Sequence, residues 1–412
     1  MRDPRHIVIL VENLSVPFDR RVWHECTTLV AAGYDVSVIC PQGKRHDREP
    51  YAELDGVRIY RYPPPPRAQS LAGYVREYPY MLAWTLHLAL RVWRRQPFDV
   101  IHACNPPDLF FLIGRVFRPL GVAFVFDQHD ASPEILFAKR GGQTRRGLPE
   151  CVVSWAERSS YALADVVIAP NGSYRRLALT RGRKRPEDVV VVRSGPLRDE
   201  FLARGEPAES YERRGKRYLV GYLGVMNEQD GVDLLVRAVA ALVDAGDDIL
   251  LYLAGDGACY GEIRALADEL GLAGRVLMPG FQTDAEFEPA LRDADVCVAP
   301  DPPSPFNDIS TMNKIVEYMA LGTPGVAFDL TENRVTGGDA VAYAPEPTVQ
   351  GLATIIAELL HDEPRRAQMA REARRRFEDE LAWEHSAPCL LRAYERLREK
   401  VAHGRRRTAA RR

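Results

Sequence analysis

Short apolar segments alternate with amphipathic helical patterns along almost the whole chain. The first series begins with HIVILV, RVWHECTTLVAAG and YDVSVICP, and the second begins with YLVGYLG, DGVDLLVRAVAALVDAG and ILLYLAGDG. Strands that are apolar on both faces are typical of parallel sheets that helices cover on both sides. The sequence therefore predicts the α/β class, with two sheets that are each wound by helices.

A charged segment with glycine and proline separates the two series. It reads LRDEFLARGEPAESYERRGKR, from Leu197 to Arg217, and its composition is typical of a linker. A chain of 412 residues can bury two cores of ordinary size. We therefore predict two Rossmann-like domains, over residues 1–196 and 197–377, that face each other across a cleft. Residues 403–412 are basic and low in apolar side chains, so we predict a disordered tail there.

Composition narrows the class of function. The net charge is −2 and charged residues make up 27% of the chain, so the overall charge does not call for nucleic acid as a partner. The first residues, MRDPRHIVILVEN, lack a signal-peptide pattern, and we expect a cytoplasmic protein. The seven cysteines show no C-x-x-C spacing, so we expect them to pack as small apolar core residues.

One segment of the first domain could contact a membrane. From Tyr74 to Arg95 the chain reads YVREYPYMLAWTLHLALRVWRR, with aromatic residues, leucines and arginines at helical spacing. Its apolar part is too short to span a bilayer. The segment is either a helix that covers the first sheet or an amphipathic helix that makes a peripheral membrane contact at the inner face of the membrane.

Several motifs that would define other enzyme classes do not occur in the sequence. The loop after the first strand, VENLSVPFDRR, lacks the G-x-G-x-x-G turn of dinucleotide-binding domains. The sequence also has no P-loop, no G-x-S-x-G nucleophile elbow and no cluster of histidines and cysteines with metal-ligand spacing, and we expect its aspartates not to form the isolated D-x-D motif of metal-dependent sugar transferases. We therefore expect chemistry in the cleft that needs neither a metal nor a bound cofactor.

The stretch FNDISTMNKIVEYMALGTP, from Phe306 to Pro324, places a cation and a carboxylate on one helix. Ser310 is the expected N-cap, and Gly322 is expected to end the helix. At this spacing Ser310, Lys314 and Glu317 lie on one helical face. The two charged residues are either a solvated ion pair or part of a binding site.

Long motifs in both halves resemble a known family. The second half contains LAGDGACYGEIRALADELGLAGRVLMPGF, DADVCVAPDPPSP and STMNKIVEYMALGTPGVAF, and the first half contains VENLSVPFDRRVWHECTTLVAAGYDVSVICP, FDVIHACNPPDLFFLIG and FDQHDASPEI. Together they resemble glycosyltransferase family 4, in particular the sugar transferases of bacterial surface-polysaccharide assembly. The resemblance extends from about His6 to about Arg396.

This resemblance implies a GT-B fold with a retaining, metal-independent reaction. The nucleoside diphosphate sugar, for which we expect UDP, would bind mainly to the second domain. A glycan or lipid-linked acceptor would bind mainly to the first domain. The resemblance also implies that residues 378–402 form a helix that crosses back to the first domain.

On the donor side, the resemblance implies catalytic roles for Lys314 and Glu317. Lys314 would face the leaving diphosphate and Glu317 the ribose hydroxyls. Further donor-binding positions are Gly224 after the first strand of the domain, Phe281 and Gln282 near the base, and the N-terminal amides of the helix at Ser310, Thr311, Met312 and Asn313.

The donor side also departs from the family pattern. Ile309 stands eight positions before Glu317, where the family has a glutamate, and Asp308 could replace it if the loop shifts by one residue. Met226 and Asp230 stand about where the family has an arginine and a lysine. These departures leave two alternatives open, namely a nucleotide-sugar epimerase on the same fold and a catalytically decayed scaffold subunit.

On the acceptor side, the resemblance places His129 close to the donor sugar, as a catalytic residue. Asp130 is a candidate N-cap of the following helix, with Ser132 as its rival. Glu134 would reach the acceptor hydroxyl, or it would only complement the dipole of that helix.

The loop after the first strand carries three further charged residues. Asp19, Arg20 and Arg21 could meet an anionic acceptor such as a polyprenyl diphosphate sugar. Alternatively, these three charged residues lie at the solvent-exposed start of the following helix and have no ligand.

Overall fold

A computed structural model of the protein describes residues 5–43, 46–64, 71–138, 147–199 and 211–409. The chain forms two compact units. The first comprises Met1–Arg193 and Ser386–Arg412, and the second comprises Ser194–His385. Most of the linker predicted from Leu197 to Arg217 lies outside the described residues.

The first unit is built on an eight-stranded sheet with the order β3-β4-β2-β1-β5-β6-β7-β8. Only the β3–β4 pair is antiparallel in this sheet. The central strands are buried on both faces, as their apolar sequences predict. The strands are β1 (His6–Leu10), β2 (Asp35–Pro41), β3 (Tyr51–Leu54), β4 (Val57–Tyr62), β5 (Val100–Cys104), β6 (Ala123–Asp127), β7 (Val166–Ala169) and β8 (Val189–Val191).

Helices connect the parallel strands of this sheet. In chain order they are α1 (Arg20–Ala31), α2 (Leu71–Arg95), α3 (Phe111–Phe117), α4 (Ser132–Ala138), α5 (Leu148–Leu163) and α6 (Gly172–Thr180). Helix α2 buries Met81, Leu88 and Val92 and contacts β2 and β4. The segment from Tyr74 to Arg95 therefore covers the sheet, which was one of its two predicted roles.

The second unit is built on a six-stranded, fully parallel sheet with the order β11-β10-β9-β12-β13-β14. The order reverses between β9 and β12, and in such sheets the carboxyl ends of the strands flanking the reversal form a crevice for ligands. The strands are β9 (Tyr218–Leu223), β10 (Ile249–Ala254), β11 (Val276–Gly280), β12 (Val296–Ala299), β13 (Gly325–Phe328) and β14 (Val341–Ala344).

The helices of the second unit pack on both faces of its sheet and form two apolar cores with it. They are α7 (Val232–Asp244), α8 (Tyr260–Glu269), α9 (Asp284–Arg292), α10 (Asn313–Leu321), α11 (Thr331–Gly337), α12 (Val349–His361) and α13 (Glu363–Arg376). A turn of π-helix, Phe377–Leu381, leads to α14 (Trp383–Ala409).

The structure differs from the sequence prediction at two places. The hairpin of β3 and β4 was not predicted, because its residues lie outside the alternation of strand and helix patterns. Helix α14 continues to Ala409, where the sequence predicts a disordered tail from residue 403. Among the described residues, no helix combines the length and the apolar character needed to cross a bilayer.

Candidate functional site

The helix that carries Lys314 and Glu317 begins later than the sequence predicts. Helix α10 starts at Asn313, and its N-cap is Met312. The Ser310 hydroxyl instead donates to the Phe306 carbonyl at 2.8 Å, and Ser310 follows a short 3-10 helix. The prediction of Ser310 as N-cap is therefore wrong, because its hydroxyl bonds backward along the chain.

The other end of α10 confirms the prediction. Gly322 follows the helix with a φ of 73°, a backbone conformation that glycine adopts without strain. Lys314 lies in the first turn, and Glu317 is half-buried further along. Before them, Thr311 is half-buried, Met312 is buried, and Asn313 is exposed.

Lys314 is held by a carboxylate that the sequence analysis missed. Its Nζ lies 2.8 Å and 3.0 Å from the two oxygens of Asp301, and 3.9 Å from Asp230 Oδ1. It also lies 5.2 Å from the centre of the Tyr222 ring. The side chains of Lys314 and Asp301 are only 10% and 2% exposed. Only Pro300 separates Asp301 from the end of β12, so its position just after a buried strand was the available signal.

Burial and the neighbouring charges have opposite effects on the pKa of Lys314. Burial alone would lower the pKa of Lys314, but Asp301, Tyr222 and Asp230 raise it above its usual value. Burial raises the pKa of Asp230, and Lys314 offsets part of that effect. Lys314 is therefore a firmly charged cation whose charge two carboxylates share.

Glycines bring the loops after β9 and β10 close together beside Lys314. Gly224 has a φ of 151°, and a Cβ there would lie 3.2 Å from Lys314 Cε. A Cβ on Gly255 would lie 1.8 Å from the Gly224 carbonyl oxygen, and one on Gly257 would lie 2.3 Å from the Met226 carbonyl oxygen. The two loops therefore pack backbone against backbone beside Lys314, and a side chain at Gly255 or Gly257 would collide with the neighbouring loop.

Asp308 has a structural partner. Its two carboxylate oxygens accept hydrogen bonds from the backbone N–H and the hydroxyl of Thr331, at 2.9 Å and 3.0 Å. Thr331 is the first residue of α11, so Asp308 stabilises the start of that helix. This contact accounts for Asp308 without a role as a replacement for the glutamate that the family has at position 309.

Phe281 and Gln282 follow β11, at the same edge of the sheet. The Phe281 side chain is 36% exposed. The Gln282 amide oxygen lies 3.5 Å from the Tyr252 hydroxyl. Gly224, Phe281 and Gln282 therefore come from loops at the carboxyl ends of the strands.

In the first unit, the candidate site is centred on Asp127, at the end of β6. Its Oδ1 lies 2.9 Å from Arg21 Nη2, and its Oδ2 lies 2.5 Å from His129 Nε2 and 3.4 Å from His102 Nε2. The Asp127 side chain is fully buried, whereas His129 is 19% exposed. Asp127 therefore holds His129 at the surface of the unit, and the sequence analysis missed it.

The carboxyl groups of Asp127 and of its neighbour Glu25 have pKa values shifted in opposite directions. Burial alone would raise the pKa of Asp127, but Arg21, His129 and a hydrogen bond from His102 lower it well below its usual value. Burial and the Asp127 carboxylate raise the pKa of Glu25 well above its usual value, although Arg21 opposes them. Glu25 therefore holds its proton much more tightly than Asp127 does.

The same cluster contains atoms that could ligate a metal. Glu25, His102, Cys104 and Asp127 each place one potential ligand atom within 4.8 Å of the others, and all four are buried. Arg21 Nη2, however, lies 3.2 Å from Glu25 and 2.9 Å from Asp127. Because this guanidinium already supplies the positive charge that a metal would bring, we interpret the cluster as a buried charge network.

Backbone hydrogen bonds fix the loop that carries His129. The Asn105 amide oxygen accepts bonds from the N–H groups of His129 and Asp130, at 2.6 Å and 3.1 Å. Helix α4 begins at Ser132, two residues after Asp130. The N-cap role of Asp130, with Ser132 as its rival, stays a prediction.

Glu134 lies in the first turn of α4 and is paired with a cation. Both of its oxygens contact Arg181, whose guanidinium also lies 3.0 Å from both oxygens of Glu157. This arrangement links α4 to α5. A contact between Glu134 and an acceptor hydroxyl would therefore have to compete with Arg181.

The three charged residues after β1 have different roles. Asp19 is the N-cap of α1, and its side chain accepts a bond from the Val22 N–H at 3.2 Å. Arg20 is exposed. The Arg21 side chain is only 9% exposed and donates to the Val192 carbonyl at 2.9 Å, besides its ion pair with Asp127. The expectation that Arg21 meets an acceptor from solution is therefore wrong, since its guanidinium is committed to buried partners.

A further carboxyl group near this edge predicts a pH dependence of stability. Burial, with a smaller effect of Glu77, raises the pKa of Glu12 from 4.5 to about 7. The folded protein therefore binds this proton more tightly than the unfolded chain, and its contribution to stability is complete below pH 4.5 and lost as the pH rises through 7. At pH 8 we expect Glu12→Gln to have a higher free energy of unfolding than the wild type. The difference between variant and wild type should be larger at pH 8 than at pH 5, by on the order of 1 to 3 kcal/mol.

Urea unfolding at pH 5 and pH 8 measures this effect. Glu395→Gln, at an exposed position of α14, is the control and is expected to be neutral at both pH values. Equal stabilities of Glu12→Gln and the wild type at pH 8 would contradict a buried carboxyl group at Glu12.

Comparisons with known proteins agree with this architecture. Residues 19–195 match the family model "Glycosyl transferase 4-like domain", and residues 217–362 match the model "Glycosyl transferases group 1". The 2-deoxystreptamine glucosyltransferase of Streptomyces kanamyceticus is 27% identical over 83% of this chain and 88% of that protein.

Solved structures share the fold over nearly the full length. The sucrose-phosphate synthase of Thermosynechococcus elongatus superposes with a TM-score of 0.74 and 20% identity, over 95% of this chain and 99% of that one. The HepE protein of Anabaena, solved with UDP and glucose, superposes with a TM-score of 0.64 and 17% identity, over 96% of this chain and 99% of that one.

Proposed function

Because the chain belongs to the group 1 glycosyltransferases of GT-B architecture, we propose that it transfers a hexose or N-acetyl amino sugar from a nucleoside diphosphate sugar to a glycan hydroxyl. We expect a UDP donor, a lipid-linked acceptor, retention of the anomeric configuration and no requirement for a metal. The observation that carries the proposal is the buried Lys314 in the first turn of α10, beside the glycine loops after β9 and β10.

Lys314 and the start of α10 form the proposed diphosphate site. An ammonium group has three hydrogens to donate, and two of those of Lys314 are directed to the oxygens of Asp301. A phosphate oxygen would compete with the Tyr222 hydroxyl for the third, and the N-terminal amides of α10 would add further donors. Positive charge at this point stabilises the nucleoside diphosphate as it departs from the sugar.

The acceptor side uses residues of the first unit. His129, held by Asp127, is proposed to contact a hydroxyl of the transferred sugar. Its fixed orientation would reduce the entropy lost when the sugar is positioned for attack. With retention, the acceptor hydroxyl would attack from the face that the nucleotide leaves, and the departing phosphate would take the hydroxyl proton.

Donor turnover tests the proposal. UDP-, GDP-, dTDP- and ADP-sugars are incubated with a glycan acceptor in excess EDTA, and products are identified by NMR of the anomeric proton. We expect transfer from one donor with its configuration retained. Conversion of the donor to its epimer without an acceptor would support the epimerase alternative, and loss of all nucleotide binding would support the scaffold alternative.

Glu317→Ala tests the ribose contact. We expect the substitution to weaken nucleoside diphosphate binding by about 1 to 3 kcal/mol, since hydrogen bonds to a carboxylate are lost. Calorimetric titration of the wild type and the variant measures the difference. Glu358→Ala, at an exposed position of α12, is the matched control and should bind as the wild type does. Equal affinities of Glu317→Ala and the wild type would remove Glu317 from the donor site.

A further inference from the structure

The last helix of the chain places a tyrosine in the interior of the first unit. Tyr394 of α14 is 1% exposed, and its hydroxyl lies 2.7 Å from Nδ1 of His102. His102 belongs to β5, between β1 and β6, and its side chain is fully buried. The two residues are 292 positions apart, so the contact links the end of the chain to the centre of the sheet.

His102 extends this contact to the carboxylate that holds His129. Its Nε2 lies 3.4 Å from Asp127 Oδ2 and 3.5 Å from Glu25 Oε2. The same oxygen of Asp127 lies 2.5 Å from His129 Nε2. A continuous chain of polar contacts therefore runs from α14 to the candidate site, through Tyr394, His102, Asp127 and His129.

The hydrogen bond to Tyr394 fixes the position of the hydrogen on the His102 ring. Burial, with a smaller effect of Glu25, raises the pKa of Tyr394 well above its usual value, so the phenol keeps its proton. In the part of the chain that the structure describes, His102 Nδ1 is the one hydrogen-bond partner of this hydroxyl. Because a buried hydroxyl hydrogen needs an acceptor, Nδ1 accepts it, and the ring hydrogen lies on Nε2, facing the two carboxyl groups.

The Tyr394 hydroxyl also selects one of two orientations of the His102 ring. A half-turn about the Cβ–Cγ bond exchanges the places of Nδ1 and Cδ2, and those of Nε2 and Cε1. In the turned ring a C–H group would face the phenol and Nε2 would leave Asp127, so both polar contacts would be lost. Without the hydroxyl, the observed orientation loses its bond at Nδ1 and is favoured much less.

The orientation of His102 matters for Asp127, which has partners on both of its oxygens. Arg21 donates to Oδ1 at 2.9 Å, whereas His102 and His129 both face Oδ2. If His102 turns away, Oδ2 loses one of its two partners, and the carboxylate can rotate. The acceptor for His129 Nε2 then moves, and the imidazole loses its fixed orientation.

Other contacts hold α14 against the first unit. Lys400 Nζ lies 2.8 Å and Arg396 Nε lies 3.0 Å from the two oxygens of Asp188, whose side chain is 3% exposed. Leu397, three residues after Tyr394, is fully buried. Removal of the Tyr394 hydroxyl alone should therefore leave the helix in place.

We propose that Tyr394 is a positioning residue for His129, and that the two buried side chains between them transmit its effect. The hydroxyl fixes the His102 ring, and the ring fixes the Asp127 carboxylate. The carboxylate then presents His129 to the sugar in one orientation. The inference rests on the proposed function only where it assigns His129 a contact with the transferred sugar. If Tyr394 only anchored α14, removal of its hydroxyl would leave His129 unaffected.

Nuclear magnetic resonance of the histidine rings tests this inference without any substrate. The rings of the nine histidines are labelled with ¹⁵N, and two of them are assigned with His102→Gln and His129→Gln. In the wild type we expect His102 to carry its hydrogen on Nε2. Tyr394→Phe should shift the ring resonances of His129, whereas those of His361, in the second unit, should stay unchanged.

Steady-state kinetics show whether this shift matters for transfer. We expect Tyr394→Phe to lower kcat about tenfold to hundredfold. The KM of the nucleotide sugar should change by less than about twofold, because the proposed diphosphate and ribose contacts lie in the second unit. Tyr343→Phe is the matched control, since the Tyr343 hydroxyl lies 3.1 Å from two backbone carbonyls of the second unit. It should match the wild type in kcat and in the His129 resonances.

A double substitution tests whether Tyr394 acts through His102. His102→Gln keeps an N–H donor near the position of Nε2 but offers the phenol no acceptor at the position of Nδ1. If Tyr394 acts through the ring, adding Tyr394→Phe to His102→Gln should lower kcat further by less than about twofold. Independent effects of the two substitutions would instead multiply.

Several results would overturn the inference. They are a His102 hydrogen on Nδ1 in the wild type, unchanged His129 resonances or an unchanged kcat in Tyr394→Phe, and multiplied effects in the double variant. The first needs no variant, so it applies even if Tyr394→Phe does not fold. A wild-type protein that turns over no nucleotide sugar would refute only the proposed function, because the ring resonances report the link between Tyr394 and His129 without it.

Discussion

Replacing Lys314 by methionine is expected to lower the free energy of unfolding by about 3 to 5 kcal/mol. Methionine has a similar length, so the loss is mainly electrostatic. It leaves Asp301, which is 2% exposed, and Asp230 without their shared cation. Urea unfolding at pH 7 measures the change. The variant should also lose nucleoside diphosphate binding at concentrations that saturate the wild type.

A double substitution separates charge from packing. Adding Asp301→Asn to Lys314→Met removes the orphaned carboxylate, so we expect it to restore part of the lost stability but none of the nucleotide binding. Lys216→Met is the control, since Lys216 pairs with the 40%-exposed Asp248 at 3.2 Å and should matter by less than about 1 kcal/mol. If Lys314→Met were as stable as the wild type, that result would contradict a buried ion pair between Lys314 and Asp301.

Asp127→Asn is expected to have an effect of similar size in the first unit. The substitution keeps the shape of the side chain but removes the charge that faces Arg21, His129 and His102. Because Arg21 is 9% exposed, its guanidinium would lose its nearer carboxylate in the interior and keep only Glu25, which lies 3.2 Å away, as a carboxyl partner. We expect a loss of about 3 to 5 kcal/mol in the free energy of unfolding, and a loss of transfer because His129 is no longer held.

Glu25→Gln is the informative comparison. Since burial and the Asp127 carboxylate raise the pKa of Glu25 and so favour its neutral form, we expect an amide to replace it at a cost of about 1.5 kcal/mol or less. Asp329→Asn is the surface control, because Asp329 and its partner Arg334 are 52% and 57% exposed. If Glu25→Gln proved as damaging as Asp127→Asn, the assignment of charges within the cluster would be wrong.

The fold was predictable because each buried strand carries its own signal. HIVIL in β1 and VCVA in β12 are apolar on both faces, and that property depends on local sequence alone. The α/β class, the GT-B fold and the family resemblance are all confirmed. The β3–β4 hairpin was missed because it interrupts the alternation of strand and helix.

The partners of the charged residues were not predictable in the same way. Arg21 follows Asp19 and Arg20 in a segment that looks like a solvated helix start, but its partner Asp127 lies 106 residues further along the chain. Lys314 was predicted to bind a diphosphate, but it also forms an ion pair with Asp301, which lies 13 residues earlier in the chain. Such pairings depend on which strand ends lie side by side, and a single sequence gives that order only indirectly.

Binding of nucleoside diphosphates to the wild-type protein shows whether the donor site around Lys314 and Glu317 exists. UDP, GDP, dTDP and ADP are titrated by calorimetry at pH 7, without added metal. We expect one of them, UDP, to bind with a dissociation constant between about 1 μM and 1 mM, the usual range for enzyme substrates. If none of the four binds at millimolar concentration, the donor site proposed around Lys314 and Glu317 does not exist, and the glycosyltransferase proposal fails for this chain.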